Sequence, residues 1–476
     1  MAQVLVLAAG LGKRMRSPLP KVLHEMSGKP ILFHILKQVR DVLPHASVGI
    51  VVGHAKEQVE AYVRQETELN GLDISFIFQP EQRGTGHAAR CAMDSAWGDA
   101  AVRAKSPLLI LPGDFPLLSA RLIQEMSHSL GKSESLRLLT CELPDPFGYG
   151  RVVRKSKMGP VLKIVEEKDA KPKEKLIQEV ATSIYLFDSA FLQDALQKLS
   201  TNNAQGEYYL TDVISVAAKK KKRIHVLTWK DTDDLRGVND LWELSQANQI
   251  MNQRILRQWM RSGVKVIAPS TTFVDSSVVL AEGVTLSPGV MLSGKTRIGK
   301  GTRVDSNVVL KDVIVGESVH LKAGTVAEQS QIESHALVGP YAHLRPESSV
   351  GKNAKIGNFV ELKKAKIGED SSVAHLSYLG DAVVGQRVNI GCGFVTCNFD
   401  GRVVNGERKH RTVIEDDVFL GSDCQIIAPV TIGQGAYVAS GSTITEDVPP
   451  RALAIARARQ VIKTDYALKL RPAKEE

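Results

Sequence analysis

The sequence predicts two architectures in one chain, an α/β layer fold with a mainly parallel sheet up to about residue 240 and a parallel β-helix beyond residue 270. Three observations carry this. Short apolar runs alternate with helical periodicity in the first half, residues 241–259 place apolar side chains three and four apart, and aliphatics then recur at every sixth position. At 476 residues, 43% hydrophobic and 24% charged, the chain has the composition of a folded multidomain protein, which excludes intrinsic disorder and collagen-like order.

In chain order, Val4 to Ala8, Val48 to Val52, Ile74 to Phe78 and Leu108 to Leu111 read as buried strands, with Pro30 to Asp41 and Ala55 to Glu66 as helices between them. Leu241, Leu244, Ala247, Met251, Ile255 and Trp259 describe one long amphipathic connecting helix. Three hexad series follow: Val274, Leu280, Leu286, Leu292, Ile298, Val304 and Leu310; then Val326, Ile332, Val338, Leu344, Val350, Ile356 and Leu362; then Ile414, Leu420, Ile426, Ile432, Val438 and Ile444. Each six-residue step makes one side of a triangular coil and turns its aliphatic residue into a central stack. Such a solenoid leaves flat outer faces that commonly pack against copies of itself.

The longest apolar runs fall far short of the ~20 residues a bilayer-spanning helix needs, and Lys13 and Arg14 end the first run, so neither a membrane partner nor an export signal is expected. Five scattered cysteines without CxxC spacing argue against a disulfide framework or zinc site and for a reducing cytoplasm. A net charge of +9 suits anionic partners. The one dense basic run, Lys219 to Arg223, has no aromatic interleaving and reads as a solvated helix end, so no nucleic-acid partner is expected.

Between the first strand and first helix lies Leu7-Ala8-Ala9-Gly10-Leu11-Gly12-Lys13-Arg14-Met15, followed by Leu19-Pro20-Lys21. A glycine-rich loop after a strand can bring backbone N–H groups to phosphate oxygens, with Arg14 and Lys21 neutralising charge. An ordinary glycine-rich turn with surface lysines would look the same. In Leu111-Pro112-Gly113-Asp114-Phe115-Pro116-Leu117 an acid follows the C-terminal end of an apolar strand, the edge where open α/β sheets bind ligands. Asp114 either caps the following turn or, beside a phosphate loop, serves as a Mg²⁺ ligand.

Counting by coil gives a second constellation. Arg345 follows inward Leu344 by one and Lys363 follows inward Leu362 by one, so the two stack on adjacent coils ~4.8 Å apart. Unpaired like charges there are destabilising unless an anion lies between them, or both chains splay into solvent. By the same count His375 stacks with Cys392. Grouped with Arg345, Lys363, Tyr378 and Asn389, His375 is either a structural histidine or a general base whose ordinary pKa of about 6.5 suits that work.

The run LAAGxGxRM, LPKVLH, Gln79 with Glu81-Gln82-Arg83-Gly84-Thr85-Gly86-His87, GDFPL, Gly148-Tyr149-Gly150-Arg151, Val165-Glu166-Glu167-Lys168-Asp169, the segment Asn203 to Tyr209 and Gly237-Val238-Asn239 resembles, in order along nearly the whole chain, the bacterial bifunctional N-acetylglucosamine-1-phosphate uridyltransferase/glucosamine-1-phosphate acetyltransferase family. The resemblance extends through Leu344-Arg345-Pro346, Gly357 to Lys364, His375 to Asp381 and Asn389-Ile390-Gly391. It implies a Rossmann-like nucleotidyltransferase domain over 1–240, a linker helix over 241–262, a left-handed β-helix acetyltransferase domain over 263–445 and a tail over 446–476. Leu7, Ala8, Gly10, Gln79, Gly84 and Thr85 would hold the uridine nucleotide of UTP, Lys21 a phosphate, Asp114 and Asn239 Mg²⁺, and Gly150 and Glu166 the sugar. Arg345, Lys363, Tyr378 and Asn389 would bind glucosamine 1-phosphate and His375 would take the proton of its amine. Asn398, Ser422, Ser440 and Arg457 would line the acetyl-CoA site, with Cys392 and Phe399 beside them, in a homotrimer whose acetyl sites lie between subunits.

Departures from the family pattern accompany the match. Ala181 stands where the family has a sugar-contacting Asn, a loss of about 0.5 to 1.5 kcal/mol for one neutral hydrogen bond. Cys392 replaces Ala, Phe399 Tyr and Ser440 Ala, and extra residues near Val403 to Arg408 precede Lys409; all concern the acyl-CoA side. Two rival readings stand beside the bifunctional one: a nucleotidyltransferase with a non-catalytic oligomerisation or regulatory solenoid, against which the His375 group weighs, and a non-enzymatic assembly scaffold, against which Lys21, Asp114 and Asn239 weigh.

Overall fold

A computed structural model describes residues 2–53, 55–131, 134–157, 159–401, 403 and 408–470. The chain divides into two units, Met1–Met251 and Asn252–Glu476, the division falling inside the helix Leu241–Arg261.

The first unit is built on a nine-stranded sheet whose main path runs Arg223–Thr228, Glu134–Glu142, Glu179–Phe187, Leu108–Pro112, Gln3–Leu7, Ser47–Val52, Asp73–Phe78. The four strands legible in the sequence pair in parallel. Helices cover this part of the sheet, so Val4, Leu5, Val6, Val48 and Ile50 are buried whichever way they point, which is why Gln3–Leu7, Ser47–Val52 and Leu108–Pro112 read as apolar runs, while Asp73–Phe78 at the sheet edge is only partly buried. Helix Ile31–Val42 buries Ile31, Leu32, Ile35, Leu36 and Val39 and turns Lys37 and Asp41 toward solvent, where they pair at 2.5 Å. Beyond Leu108–Pro112 the sheet becomes mixed: Glu179–Phe187 runs antiparallel to both Leu108–Pro112 and Glu134–Glu142, and Gly150–Arg154 pairs antiparallel with it and with Val161–Val165. Only six residues separate Gly150–Arg154 from Val161–Val165, a spacing that suits antiparallel strands only, since a parallel pair needs a long crossover.

In the second unit three sheets of 11, 10 and 9 strands are parallel throughout and make the three sides of a β-helix. Inward residues stack coil on coil: Leu286 on Val304 on Leu321 on Val338 on Ile356 on Val373 forms one file. The second sequence series starts one residue off. Leu310 pairs with Ala327, which is fully buried, while Val326 lies on the outer face. The reason is a side shortened to five residues, Leu310 to Val315, repeated from Ala327 to Ile332, which a strict count of six misses. At one inward position a polar residue substitutes: Thr396 is 1% exposed, and its hydroxyl accepts from the Gly380 amide at 2.7 Å and donates to the Gly380 carbonyl at 3.1 Å. The first coil is closed by the second half of helix Leu241–Arg261, where Asn252 donates to the Thr272 carbonyl at 2.8 Å and accepts from the Val274 amide at 3.0 Å. That side chain pairs backbone groups a solenoid would otherwise leave as an open edge.

The basic run is a solvated helix end, as expected: helix Asp212–Lys219 stops there, and exposed Lys220 pairs with Asp194. All five cysteines are free thiols. No helix among the described residues is long and apolar enough to cross a membrane.

Candidate active sites

At the C-terminal ends of the parallel strands a cavity of about 660 Å³ is lined by Leu7, Gly10, Gln79, Gly84, Thr85, Asp114, Gly150, Glu166 and Asn239. The loop after the first strand turns back at Gly12, whose φ of 57° is left-handed and whose added Cβ would lie 2.7 Å from Lys21 Cβ. A glycine there lets Lys21 reach the strand ends, where its Nζ sits 2.5 Å from Asp114 Oδ2 and 3.0 Å from Asn239 Oδ1. Three residues far apart in sequence thus converge on one point. Gln79 donates to the Gly84 carbonyl at 3.3 Å, and Glu166 accepts from the Thr211 hydroxyl at 2.8 Å. Burial holds the Glu166 carboxyl above the ordinary carboxylate range, and the nearby Asp212 and Asp169 push the same way against the Thr211 bond.

Ala8 is buried behind the cavity wall, and Arg14 is exposed, with Lys13 on the wall in its place. Gln82, unassigned from sequence although it lies inside the Glu81 to His87 motif, donates to the Ala9 carbonyl at 3.0 Å and pins the glycine loop. Thr211 had no sequence signal, because only tertiary folding brings it to Glu166. Ala181 lies on the wall, in register with Gly150.

On the solenoid, the register Leu344 to Leu362 and the bond from the Arg345 amide to the Leu362 carbonyl at 2.9 Å stack Arg345 and Lys363 on adjacent coils. Arg345 is not unpaired: its Nη1 lies 2.9 Å from Glu361 Oε1. Lys363 carries the local excess of positive charge. Lys409, and more weakly Arg345, hold its ammonium below the ordinary lysine range, with Asp381 opposing them. Lys409, unassigned from sequence, therefore belongs to the same cationic cluster. Tyr378 pairs with Glu361 on the next coil, and Asn389 is exposed on the adjoining sheet, in register with Ser372.

His375 Nδ1 lies 2.8 Å from Asn358 Oδ1. An amide oxygen only accepts, so Nδ1 donates here, and in the neutral ring Nε2 is then the nitrogen with the free lone pair. Asn358 was legible by the count that placed His375, each lying two residues beyond an inward aliphatic, Ile356 and Val373. Cys392, Ser422 and Ser440 hold the same phase after Ile390, Leu420 and Val438, so the register carries the file along one corner of the solenoid. Corner bonds keep it aligned, from the Leu376 amide to the Asn358 carbonyl, Gly393 to Leu376, Asp423 to Cys392 and Gly441 to Ser422. Arg457 Nη1 ends the file on the Ser440 carbonyl at 2.9 Å. Asn398 departs from it: it is 6% exposed, with its amide committed to Asp381. Phe399 is 61% exposed. Of the extra residues after it, 402 and 404–407 lie outside the described residues.

A glycine loop with a lysine, acid and amide gathered at parallel strand ends, ahead of a hexad solenoid with a histidine at its corner, defines a nucleotidyltransferase fused to a hexapeptide transferase. Residues 4–156 match the MobA-like NTP transferase domain and residues 411–446 the bacterial transferase hexapeptide (six repeats). The chain is 43% identical over 474 residues to the "Bifunctional protein GlmU" of Trichlorobacter lovleyi, covering 99% of both chains. It is also 43% identical over 467 residues to the proteins of that name from Shouchella clausii and Enterococcus faecalis, covering 98% of each chain. The chain belongs to the GlmU family.

Proposed function

We propose that this chain makes UDP-N-acetylglucosamine in two steps, acetylating glucosamine 1-phosphate with acetyl-CoA on the solenoid and joining the product to UMP from UTP in the α/β unit. The observation that carries the reading is the presence in one chain of two separate, chemically complete groups: Lys21 with Asp114 and Asn239, and His375 with Asn358 beside the Arg345, Lys363 and Lys409 cations. Domain limits of 1–240 and 263–445 suit these two groups, with 241–262 as linker, but the solenoid's last strand, Leu453–Ala454, pairs in parallel with Tyr437–Val438, so the tail begins after it rather than at 446.

In acetyl transfer the cations hold the sugar phosphate, and the Nε2 lone pair of His375 accepts a proton from the amine as its nitrogen attacks the thioester carbonyl. The C–N bond forms, the C–S bond breaks, and the proton passes to the departing thiolate. Asn358 keeps the ring in the tautomer that makes this possible. The file Cys392, Ser422 and Ser440 ending at Arg457 supports a coenzyme A path along the corner.

In uridyl transfer a phosphate oxygen of N-acetylglucosamine 1-phosphate attacks the α-phosphorus of UTP, and the bond to pyrophosphate breaks. Lys21 offsets charge on the phosphates, the glycine loop aligns them, and Glu166 and Gly150 face the sugar. Asp114 and Asn239 fit Mg²⁺: their two oxygens already converge on one cationic centre, and this metal takes one or two protein oxygens, with phosphate and water completing its shell. Among the described residues no group of three His, Cys, Asp or Glu side chains forms a fuller site. Bound there, Mg²⁺ would supply charge neutralisation at the phosphates, while Lys21 turns from the oxygens to the ligand.

Free thiols throughout support a cytoplasmic location. The solenoid's outer faces, with exposed Phe273, Met291 and Ile314, support a homotrimer; a fully active monomer in sedimentation would overturn that. The deciding experiment incubates purified protein with glucosamine 1-phosphate, acetyl-CoA, UTP and Mg²⁺, omitting each in turn and following free thiol and pyrophosphate separately. Thiol release that needs no amino sugar, or pyrophosphate release that needs no acetylated sugar phosphate, refutes the two-step scheme.

A further inference from the structure

The polar groups near Ala181 can be accounted for one by one. Glu166 accepts from Thr211 at 2.8 Å. Thr182 is 2% exposed, and its hydroxyl donates to the Leu139 carbonyl at 3.0 Å across the sheet, away from any ligand. Ala181 has nothing to offer. Ser183 is exposed on the cavity wall, and its φ of 60° is left-handed, a conformation that non-glycine residues rarely hold without a functional or structural reason. The register between Glu179–Phe187 and Glu134–Glu142 shifts between Ala181 and Tyr185, so the strand is irregular where Ser183 sits. Tyr185 is fully buried, and its hydroxyl makes no geometrically sound hydrogen bond, yet it lies within interaction range of Ser183 and in the field of Glu166. A buried hydroxyl left so is a group in want of a partner.

We infer that Ser183 is a specificity-determining residue of the uridyl-transfer site: its hydroxyl donates to an oxygen of the hexosamine 1-phosphate on the side where Ala181 cannot, and Tyr185 is the positioning residue that orients it. With sugar bound, the Tyr185 O–H turns to Ser183 Oγ, which directs the serine proton into the cavity. The inference rests on the uridyl-transfer reading. A site that pairs its hydroxyl with the substrate discriminates against analogues lacking the matching oxygen, because they leave that hydroxyl unpaired.

The test starts with Ser183→Gly, which keeps the left-handed backbone and deletes only the hydroxyl. The expected result is a loss of about 3- to 10-fold in kcat/KM for N-acetylglucosamine 1-phosphate, carried mainly by KM. The KM for UTP and the rate of thiol release from acetyl-CoA should hold, and the melting temperature should hold or rise. Tyr185→Phe should give a smaller loss of the same kind. Ala181→Asn placed in the Ser183→Gly background should recover most of the loss, while in the parent it should gain less. A Ser183→Gly enzyme within twofold of the parent, or one that loses UTP affinity and stability along with sugar affinity, overturns the inference. A parent that releases no pyrophosphate from UTP and N-acetylglucosamine 1-phosphate removes the uridyl-transfer reading itself, and this inference with it.

Discussion

Asn358→Ala tests whether the imidazole of His375 works as a base or merely occupies a corner. The variant removes the 2.8 Å acceptor at Nδ1 and leaves Nε2 in place. One hydrogen bond between neutral partners is worth about 0.5 to 1.5 kcal/mol, a factor of about 2 to 12 in rate. His375 is exposed, so water can partly replace the lost amide and the loss belongs at the lower end. His375→Ala, by contrast, deletes the proton acceptor, a loss of about 10² to 10⁴-fold. Because Asn358 acts only through the ring, the double variant should be no slower than His375→Ala alone. The assay is thiol release from acetyl-CoA at saturating glucosamine 1-phosphate, with pyrophosphate release from UTP and N-acetylglucosamine 1-phosphate as the internal control. Losses that multiply in the double variant, or an Asn358→Ala loss as large as that of His375→Ala, would refute the tautomer argument.

Lys21→Met should lower pyrophosphate release by about 10- to 150-fold, as expected for one charge-assisted contact, and leave thiol release untouched; equal damage to both rates would point to misfolding instead. Glu166→Gln bears on pH: burial raises the folded carboxyl above its ordinary 4.5, so its protonation stabilises the fold fully below that value and the contribution is lost as pH climbs through the raised one. Melting curves should accordingly show the parent losing ground to the variant as pH rises across that window, and a constant difference would contradict it. Leu344→Ala, at a fully buried inward position, should cost about 2 to 5 kcal/mol in denaturant titration, and a cost below ~1 kcal/mol would mean that the coil collapses around the gap.

What the sequence disclosed follows from what each structure needs. Three of the four parallel strands, Gln3–Leu7, Ser47–Val52 and Leu108–Pro112, had to be apolar on both faces, and the inward files of the solenoid had to be aliphatic at fixed steps, so both were legible from the sequence pattern; the edge strand Asp73–Phe78 is only partly buried and was legible from its β-branched and aromatic residues. The later strands Gly150–Arg154 and Glu179–Phe187 were not, because their direction is decided by pairing partners distant in sequence. Shortened sides were missed because Val326 and Ala327 are both apolar and only packing chooses between them. Among site residues, the coil count found the stack of Arg345 on Lys363 and the phase of His375, whereas Glu361 as partner of Arg345 and Lys409 as neighbour of Lys363 depend on where long side chains end. The meeting of Lys21 with Asp114 and Asn239 spans most of the first unit, and no local pattern encodes it.

One excursion from the solenoid carries its own implication. Fourteen residues separate strand Val395–Cys397 from strand Thr412–Ile414, which lies in register with Ala382, Val383 and Val384. The base of this segment is tied by the His410 amide on the Asn398 carbonyl at 3.0 Å and by Asn398 on Asp381. The coils on either side already bond to each other, so nothing in the aliphatic stack records how long the detour is. Closing a loop of twice the length adds only about 0.6 kcal/mol. Length here is a nearly free variable for descent and for grafting: a lineage can rewrite the segment leading to Lys409, or an engineer can splice a new one in, and the frame of the helix will not notice.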